Sequence, residues 1–461
     1  MAVFIKIAGI CVLIALLHVP LVLTRGVLVE RQNYREQATE AIASGWGHDQ
    51  QIVGPILAVP YAYKTNVVRS KVVNGKAMQV EEVDFASATA YFLPDTLEID
   101  GALAPEIRHR GIYDSVIYLL QAKIKGSFRP DFAAASIDAD RIDWDKARVY
   151  FGVGDLRGVR SVGALKIEGA GEFAFESAGA ADAALLPLVT KISGAKAGET
   201  LTFSIEAAVQ GSRRFEIAPV GKNTKVALES SWPDPSFIGA ALPATREVRA
   251  NGFRAEWQSS HLSRGFGQTW TNRAIDAASV ITQIEGASFG VRFAQPVDGY
   301  SMVDRAQKYG ILFFVLLFAV FFLFEITSSL RIHPLQYALV GAALCLFFIG
   351  FLALTEFWST GAAYATAAAA CTAMVSLYAR TFLKAGWRTL VITGGLGATY
   401  GYLYFVLKSQ DYALVAGTAA LFAALALVMF CTRRLDWYRA DLGVSDVGGV
   451  PSPREGATNA G

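Results

Sequence analysis

Long apolar runs at both ends of the chain, enclosing a charge-rich middle, limit its fold more than any other feature. A bilayer core about 30 Å thick is crossed by about 20 apolar residues at ~1.5 Å rise each. Residues 7–23 (IAGICVLIALLHVPLVL) form the first such run. It resembles the apolar stretch of a signal peptide, but it is longer than one and lacks a small-x-small cleavage site. It therefore reads as an uncleaved anchor, with Pro20 near its end. Five more runs follow, at residues 310–324, 335–354, 361–378, 387–407 and 412–431. Short connections predict antiparallel helical hairpins. Overall, 53% of residues are hydrophobic, 18% are charged and the formal net charge is +2, so nothing in the charge balance points to nucleic acid.

Lysines and arginines in short loops set orientation. With the N-terminus in the cytoplasm, the cytoplasmic loops carry Arg331, then Arg380, Lys384 and Arg388, then Arg433, Arg434 and Arg439. The opposite loops carry Lys408 beside Glu356 and Asp411. Arg25, Arg31, Arg35, Arg305 and Lys308 argue the other way, and the more numerous C-terminal loops decide. Trp358, Trp387 and Trp437 fall at span ends, as an interfacial belt requires. Small residues four apart (Ala363, Ala367, Cys371; Gly397, Gly401) suit close helix packing.

Between the runs the period changes. Residues 29–46 read as a helix leaving the membrane. Beyond them KVVNGKAMQV places Asn74-Gly75 between apolar arms, a strong hairpin signal. LEIDGAL, SVIYLLQAKIKGSF, ARVYFGV, LKIEGAGEFAFE, LTFSIEAAVQ, RRFEIAPV, TKVALESSW, GFRAEWQSS and ASFGVRF read as further strands. Short consecutive strands without long helices between them predict antiparallel sheets, in one or two lobes. The expected fold is a membrane α-helical bundle plus a β-rich antiparallel periplasmic domain. It has six transmembrane helices, one N-terminal and five C-terminal. The expected divisions are 1–24 (anchor), 25–308 (periplasmic domain), 309–438 (five-helix bundle) and 439–461 (disordered cytoplasmic tail). The four cysteines (Cys11, Cys345, Cys371, Cys431) all lie in or beside apolar runs, so the middle has no disulfide framework.

No zinc-protease, serine-hydrolase, phosphate-loop or dinucleotide motif is present, and the five histidines do not pair at metal-ligand spacing. The chain is thus expected to be no enzyme, with no catalytic, cofactor or metal residues. GVGDLRG (residues 152–158) reads as a tight turn in which Asp155 caps backbone N–H groups, rather than a ligand loop. Ser259, Ser260 and His261 in WQSSHLSRG read as a solvated loop rather than a catalytic pair. SSWPDPSF holds Trp232, Pro233, Asp234 and Pro235, a rigid corner and the candidate periplasmic contact. In the membrane region, Glu325 is the acid beside an apolar span. It reads as an interfacial carboxylate paired with Arg331 or capping the hairpin, and Glu325, Arg331 and His333 form the candidate membrane-edge site. His18, near the outer end of the first span, reads as a hydrogen-bonding partner of a neighbouring helix.

Several of these segments carry a resemblance. LTRGVLVERQNYR, IVGPILAVP, RGIYDSVI, VGDLRG, SSWPDPSFIGAALPATREVRANGFRAEWQSS, DRAQKYGILFF, FFLFEITSSLRIHPLQYALVG and TRRLDWY together resemble the CreD family of bacterial inner-membrane proteins. The likeness runs from the first span to about Tyr438, and the Gly-rich tail after Asp441 departs from it. The resemblance implies a role in cell envelope integrity, expression under a two-component regulator and a link to colicin tolerance. It implies no catalytic residue.

Three readings follow. The first is a non-enzymatic envelope protein whose periplasmic domain binds an envelope protein or cell-wall component, with the lipid bilayer as its other partner. The second is a transporter or channel component using the bundle, motivated by Glu325, His18 and the Gly/Tyr-rich fifth span. The third is a membrane-tethered hydrolase using Ser260 or His261. The first is preferred because no catalytic motif stands out.

Overall fold

The computed structural model describes residues 2–73, 76–179, 185–196, 198–293, 299–327, 332–383, 386–409 and 413–433. The chain divides into two compact units, Arg35–Pro296 and the pair of segments Met1–Tyr34 and Val297–Gly461. The helices are α1 (Ala2–Trp46), α2 (Ala277–Gly286), α3 (Gly299–Lys308), α4 (Gly310–Thr327), α5 (Pro334–Thr355), α6 (Thr360–Leu383), α7 (Gly386–Lys408) and α8 (Ala413–Thr432). The first span and the helix expected after it are one 45-residue element. Pro20 lies inside it, and the Thr24 hydroxyl donates to the Pro20 carbonyl.

Four helices among the described residues are long and apolar enough to cross a membrane: α1, α5, α6 and α7. A fifth arises if α3 and the start of α4, bent by 49°, are one span. Leu17, Leu21 and Leu28 of α1 are buried, so this helix is packed rather than standing alone. A Cβ on Gly341 of α5 would meet Leu17 Cδ1 at 2.2 Å, so glycine there lets α1 and α5 close on each other. On α6, Ala363, Ala367 and Cys371 are buried, as their spacing suggests. Gly397 and Gly401 differ: a Cβ at either would meet nothing, because α7 packs through Ile392, Leu396, Tyr400 and Leu403 instead. Trp358 and Trp387 are exposed at helix ends, while Trp437 lies outside the described residues. His18 is also exposed.

The β unit has the strands β1 (Gln50–Val73), β2 (Lys76–Phe92), β3 (Thr96–Arg110), β4 (Tyr113–Phe128), β5 (Arg141–Ile142), β6 (Arg148–Val153), β7 (Val159–Val162), β8 (Leu165–Ile167), β9 (Gly171–Phe173) and β10 (Glu176–Ser177). They continue with β11 (Leu188–Lys191), β12 (Leu201–Ser212), β13 (Arg214–Ile217), β14 (Asn223–Ser230), β15 (Pro235–Gly239), β16 (Thr245–Arg249), β17 (Gly252–Ser260), β18 (Thr269–Thr271) and β19 (Phe289–Phe293). One sheet runs β10-β11-β6-β1-β13-β19-β15, with β2, β5 and β18 attached. The other runs β16-β17-β14-β3-β4-β12-β8-β9, with β7 on β12. Alternating residues turn inward, as the burial along β3 illustrates, and both inner faces join one apolar core. Trp257 of one sheet stacks on Phe289 of the other at 5.6 Å, and Tyr118 meets Phe293 at 5.1 Å. The described residues of the β unit thus form one lobe, not two.

The expectation of purely antiparallel sheets needs correcting. β1 runs parallel to β13 (Gln50↔Phe215) and β14 runs parallel to β3 (Asn223↔Thr96). Parallel neighbours need long crossovers. Among the described residues the chain supplies them without α-helices, by building part of the other sheet before returning. The β1–β2 hairpin keeps register to Val73↔Lys76. Asn74-Gly75 lies outside the described residues, as does the tail beyond residue 433.

Candidate functional site

At one edge of the membrane unit, Glu325 sits near the end of α4 with its side chain 11% exposed. Its Oε1 accepts from Lys6 Nζ of α1, and from the Ile332 N–H at 3.2 Å. Its Oε2 accepts from the Tyr337 hydroxyl of α5 at 3.4 Å, and Lys6 Nζ also donates to the Ile332 carbonyl at 3.2 Å. One carboxylate therefore ties together three helices. The expected partner Arg331 lies outside the described residues. Lys6, 319 positions away in sequence, was not foreseeable from local spacing. His333 is the N-cap of α5: its Nδ1 accepts from the Leu335 N–H, and Gln336 Oε1 accepts from the His333 N–H at 2.9 Å. That is a reciprocal capping box, which fixes where α5 starts.

Further along α1, Arg31 lies 3.5 Å from Glu356, which also accepts from the Tyr300 hydroxyl. Arg25 pairs with Asp304, which Lys308 approaches at 2.8 Å. Lys6 and Arg31 are about 37 Å apart along a helix of ~1.5 Å rise, close to the bilayer core plus part of its headgroup layers.

In the β unit, Trp232 is buried and meets Phe293 edge-on at 6.1 Å, while Pro235 opens β15. Asp234 is the exposed residue of this corner. Ser260 accepts from the Leu262 N–H and so caps a short turn, and Ser259 faces Ser263 at 3.3 Å. His261 Nδ1 is shut off from solvent without a hydrogen-bond partner among the described residues, so that nitrogen accepts from no hydroxyl.

GVGDLRG proves to be a hub. Asp155 accepts from the Arg157 N–H and side chain, and from the His48 N–H. Its backbone is held by Gln50, whose Nε2 also reaches the Gln210 carbonyl at 2.8 Å. His48 lies between two carboxylates, with Nε2 2.7 Å from Glu40 and Nδ1 2.7 Å from Asp155. Arg157 Nη2 is also 2.7 Å from Nδ1, and the two contacts cannot both be hydrogen bonds when that nitrogen carries a proton. The hydrogen bond to Asp155, and then that to Glu40, raises the His48 pKa, so Nδ1 donates to Asp155. Partial burial alone would raise Asp155, but hydrogen bonds from Arg157 and His48 outweigh it and hold the carboxyl well below its usual range.

The imidazolium contributes fully below the unfolded pKa of 6.5 and is lost as pH rises through the raised folded value. The thermal midpoint of the purified chain is expected to fall as pH rises above 6.5, and a His48→Gln variant to be flatter there. An equal fall in the variant would reject this role.

The outer face of the β16–β9 sheet is hollowed into a groove of about 680 Å³. Ala102, Ala208 and Ala227 leave space at its floor, and Asp100, Lys123, Glu206, Glu229 and Arg254 supply charges of both signs. Register sets Lys123 between Asp100 and Glu206, and Glu229 beside Arg254. A second hollow of about 470 Å³ shares Ala102, Glu229 and Arg254. These sizes suit a small polar ligand or a short peptide. No cluster of three or more metal-ligating side chains occurs among the described residues.

The family model described as "Inner membrane protein CreD" matches residues 2–438. The Inner membrane protein CreD of Escherichia coli (strain K12) is 33% identical over 431 residues, covering 93% of this chain and 92% of that protein.

Proposed function

The chain belongs to the CreD family of inner membrane proteins, and from that premise we propose that it is a non-enzymatic envelope-integrity protein acting through its β unit. In this reading the β unit is periplasmic and both termini are cytoplasmic. There are six spans, with α8 the last. The pairing of Arg25 with Asp304 and Arg31 with Glu356 supports that orientation. It neutralises cations that would otherwise oppose the positive-inside bias.

The observation that carries the binding role is the groove. Its mixed charges fit an envelope component bearing both charge signs, such as a peptide of the cell wall or of a partner protein. Ser260 is used as a turn cap, which favours binding over hydrolysis at that loop. Glu325 is held by Lys6 and Tyr337 rather than left as a free intramembrane acid, which weighs against transport through it.

The test is complementation of a deletion strain under detergent or cell-wall antibiotic stress, using full-length chains. Lys123→Glu/Arg254→Glu is expected to lower survival about tenfold, the loss for ~1.4 kcal/mol of binding, at an unchanged amount of membrane-inserted protein. Full rescue by that variant would remove the groove from the mechanism.

A further inference from the structure

The β1–β2 hairpin runs far beyond the sheet that holds its base. β1 pairs with β6 up to Ala58 and with β5 at Tyr61 and Ala62, and β2 pairs with β18 from Ala90 onward. Between these points and the tip, the two strands pair only with each other among the described residues. That leaves a ribbon of roughly eleven residues per strand, about 36 Å long at ~3.3 Å per residue. Two-stranded ribbons are marginal in water, and open strand edges invite a further strand.

The two edges differ in sign. Residues 63–73 of β1 carry Lys64, Arg69 and Lys71 and no acid. The facing residues 76–86 of β2 carry Glu81, Glu82 and Asp84, with Lys76 at the tip as their one base. Like edges repel, while the β1 edge of one ribbon attracts the β2 edge of another. Within the ribbon Arg69 pairs with Asp84 at 2.6 Å, but these side chains are 57% and 46% exposed, so both remain open to charges from a neighbour. Lys64 is held at the base by Asp140.

Side chains agree with this joint. The register puts Lys64, Asn66 and Val68 on the same face as Phe85, Val83 and Glu81. Val68, Val83 and Phe85 are 54%, 62% and 58% exposed, a high degree for apolar residues on a polar ribbon. When two ribbons point the same way, β2 of one lies antiparallel to β1 of the next. Val83 and Phe85 of one copy then reach the Val68 row of its neighbour. We propose that this arm joins copies of the chain edge to edge, the basic β1 edge of one copy against the acidic β2 edge of the next. Such a joint is heterologous, so it builds a ring or a row rather than a two-fold dimer.

The test uses full-length protein carrying two different affinity tags, co-expressed and recovered from membranes after mild solubilisation. Wild-type copies are expected to co-purify. Arg69→Glu/Lys71→Glu gives an arm with two acidic edges, and Glu81→Lys/Glu82→Lys one with two basic edges. Each variant alone is expected to lose about tenfold in co-purification, and mixing the two to restore it, because every edge again meets its opposite. Should a reversed arm prove protease-sensitive, Arg69→Gln and Glu81→Gln/Glu82→Gln test the same joint without added repulsion, with a smaller expected loss of about threefold. Failure of wild-type copies to co-purify, indifference to both sets of changes, or no restoration on mixing would each overturn the proposal.

Discussion

Replacing Glu325 by alanine is expected to destabilise the solubilised protein by about 3 kcal/mol, a loss expected when one partner of a largely buried ion pair is removed. The change leaves the Lys6 ammonium without its carboxylate and strips acceptors from the Tyr337 hydroxyl and the Ile332 N–H. Lys6→Ala removes less, because Lys6 is 30% exposed and Glu325 keeps two donors. The double variant is expected to be more stable than the sum of the two losses allows, with a coupling of about 1–2 kcal/mol. Thermal unfolding of the four proteins in one detergent measures the cycle. Additive single effects would mean that the contact between α1 and α4 does not hold the unit together.

Gly158→Ala is expected to cost about 3 kcal/mol or more and to loosen the β unit. An added Cβ would lie 2.1 Å from the Gln210 carbonyl and 2.4 Å from Gln50 Nε2. The first is backbone within a ladder of β12, so it cannot swing away, and the second is the amide that ties the Asp155 loop to β12. Glycine is therefore required by close approach of chain to chain, not by a ligand. Limited proteolysis and thermal unfolding of the variant check this. A wild-type midpoint would show that the loop can shift freely and is not a packed hub.

Much of the architecture was legible in local patterns. Apolar length marked the candidate spans, and α1, α5, α6 and α7 stand where those runs lie. Strand segments such as LEIDGAL and LTFSIEAAVQ appear as β3 and β12, because alternation is carried by adjacent residues. The helix α2, capped by Asp276, was missed, since it is a short segment among strands. The corner at 232–235 was read as rigid, and its tryptophan turns inward because Phe293 of β19 offers an apolar neighbour.

What the sequence determined by itself is the apolar helices, many of the longer strands, their order and the family, since hydropathy, periodicity and turn chemistry act over a few residues. Only the tertiary structure decided which elements meet. Lys6 finds Glu325 across 319 positions, Gln50 finds Gln210 across 160, and β1 lies parallel to β13. Such pairings depend on how entire sheets and helices stack, and no local period records a partner chosen by packing.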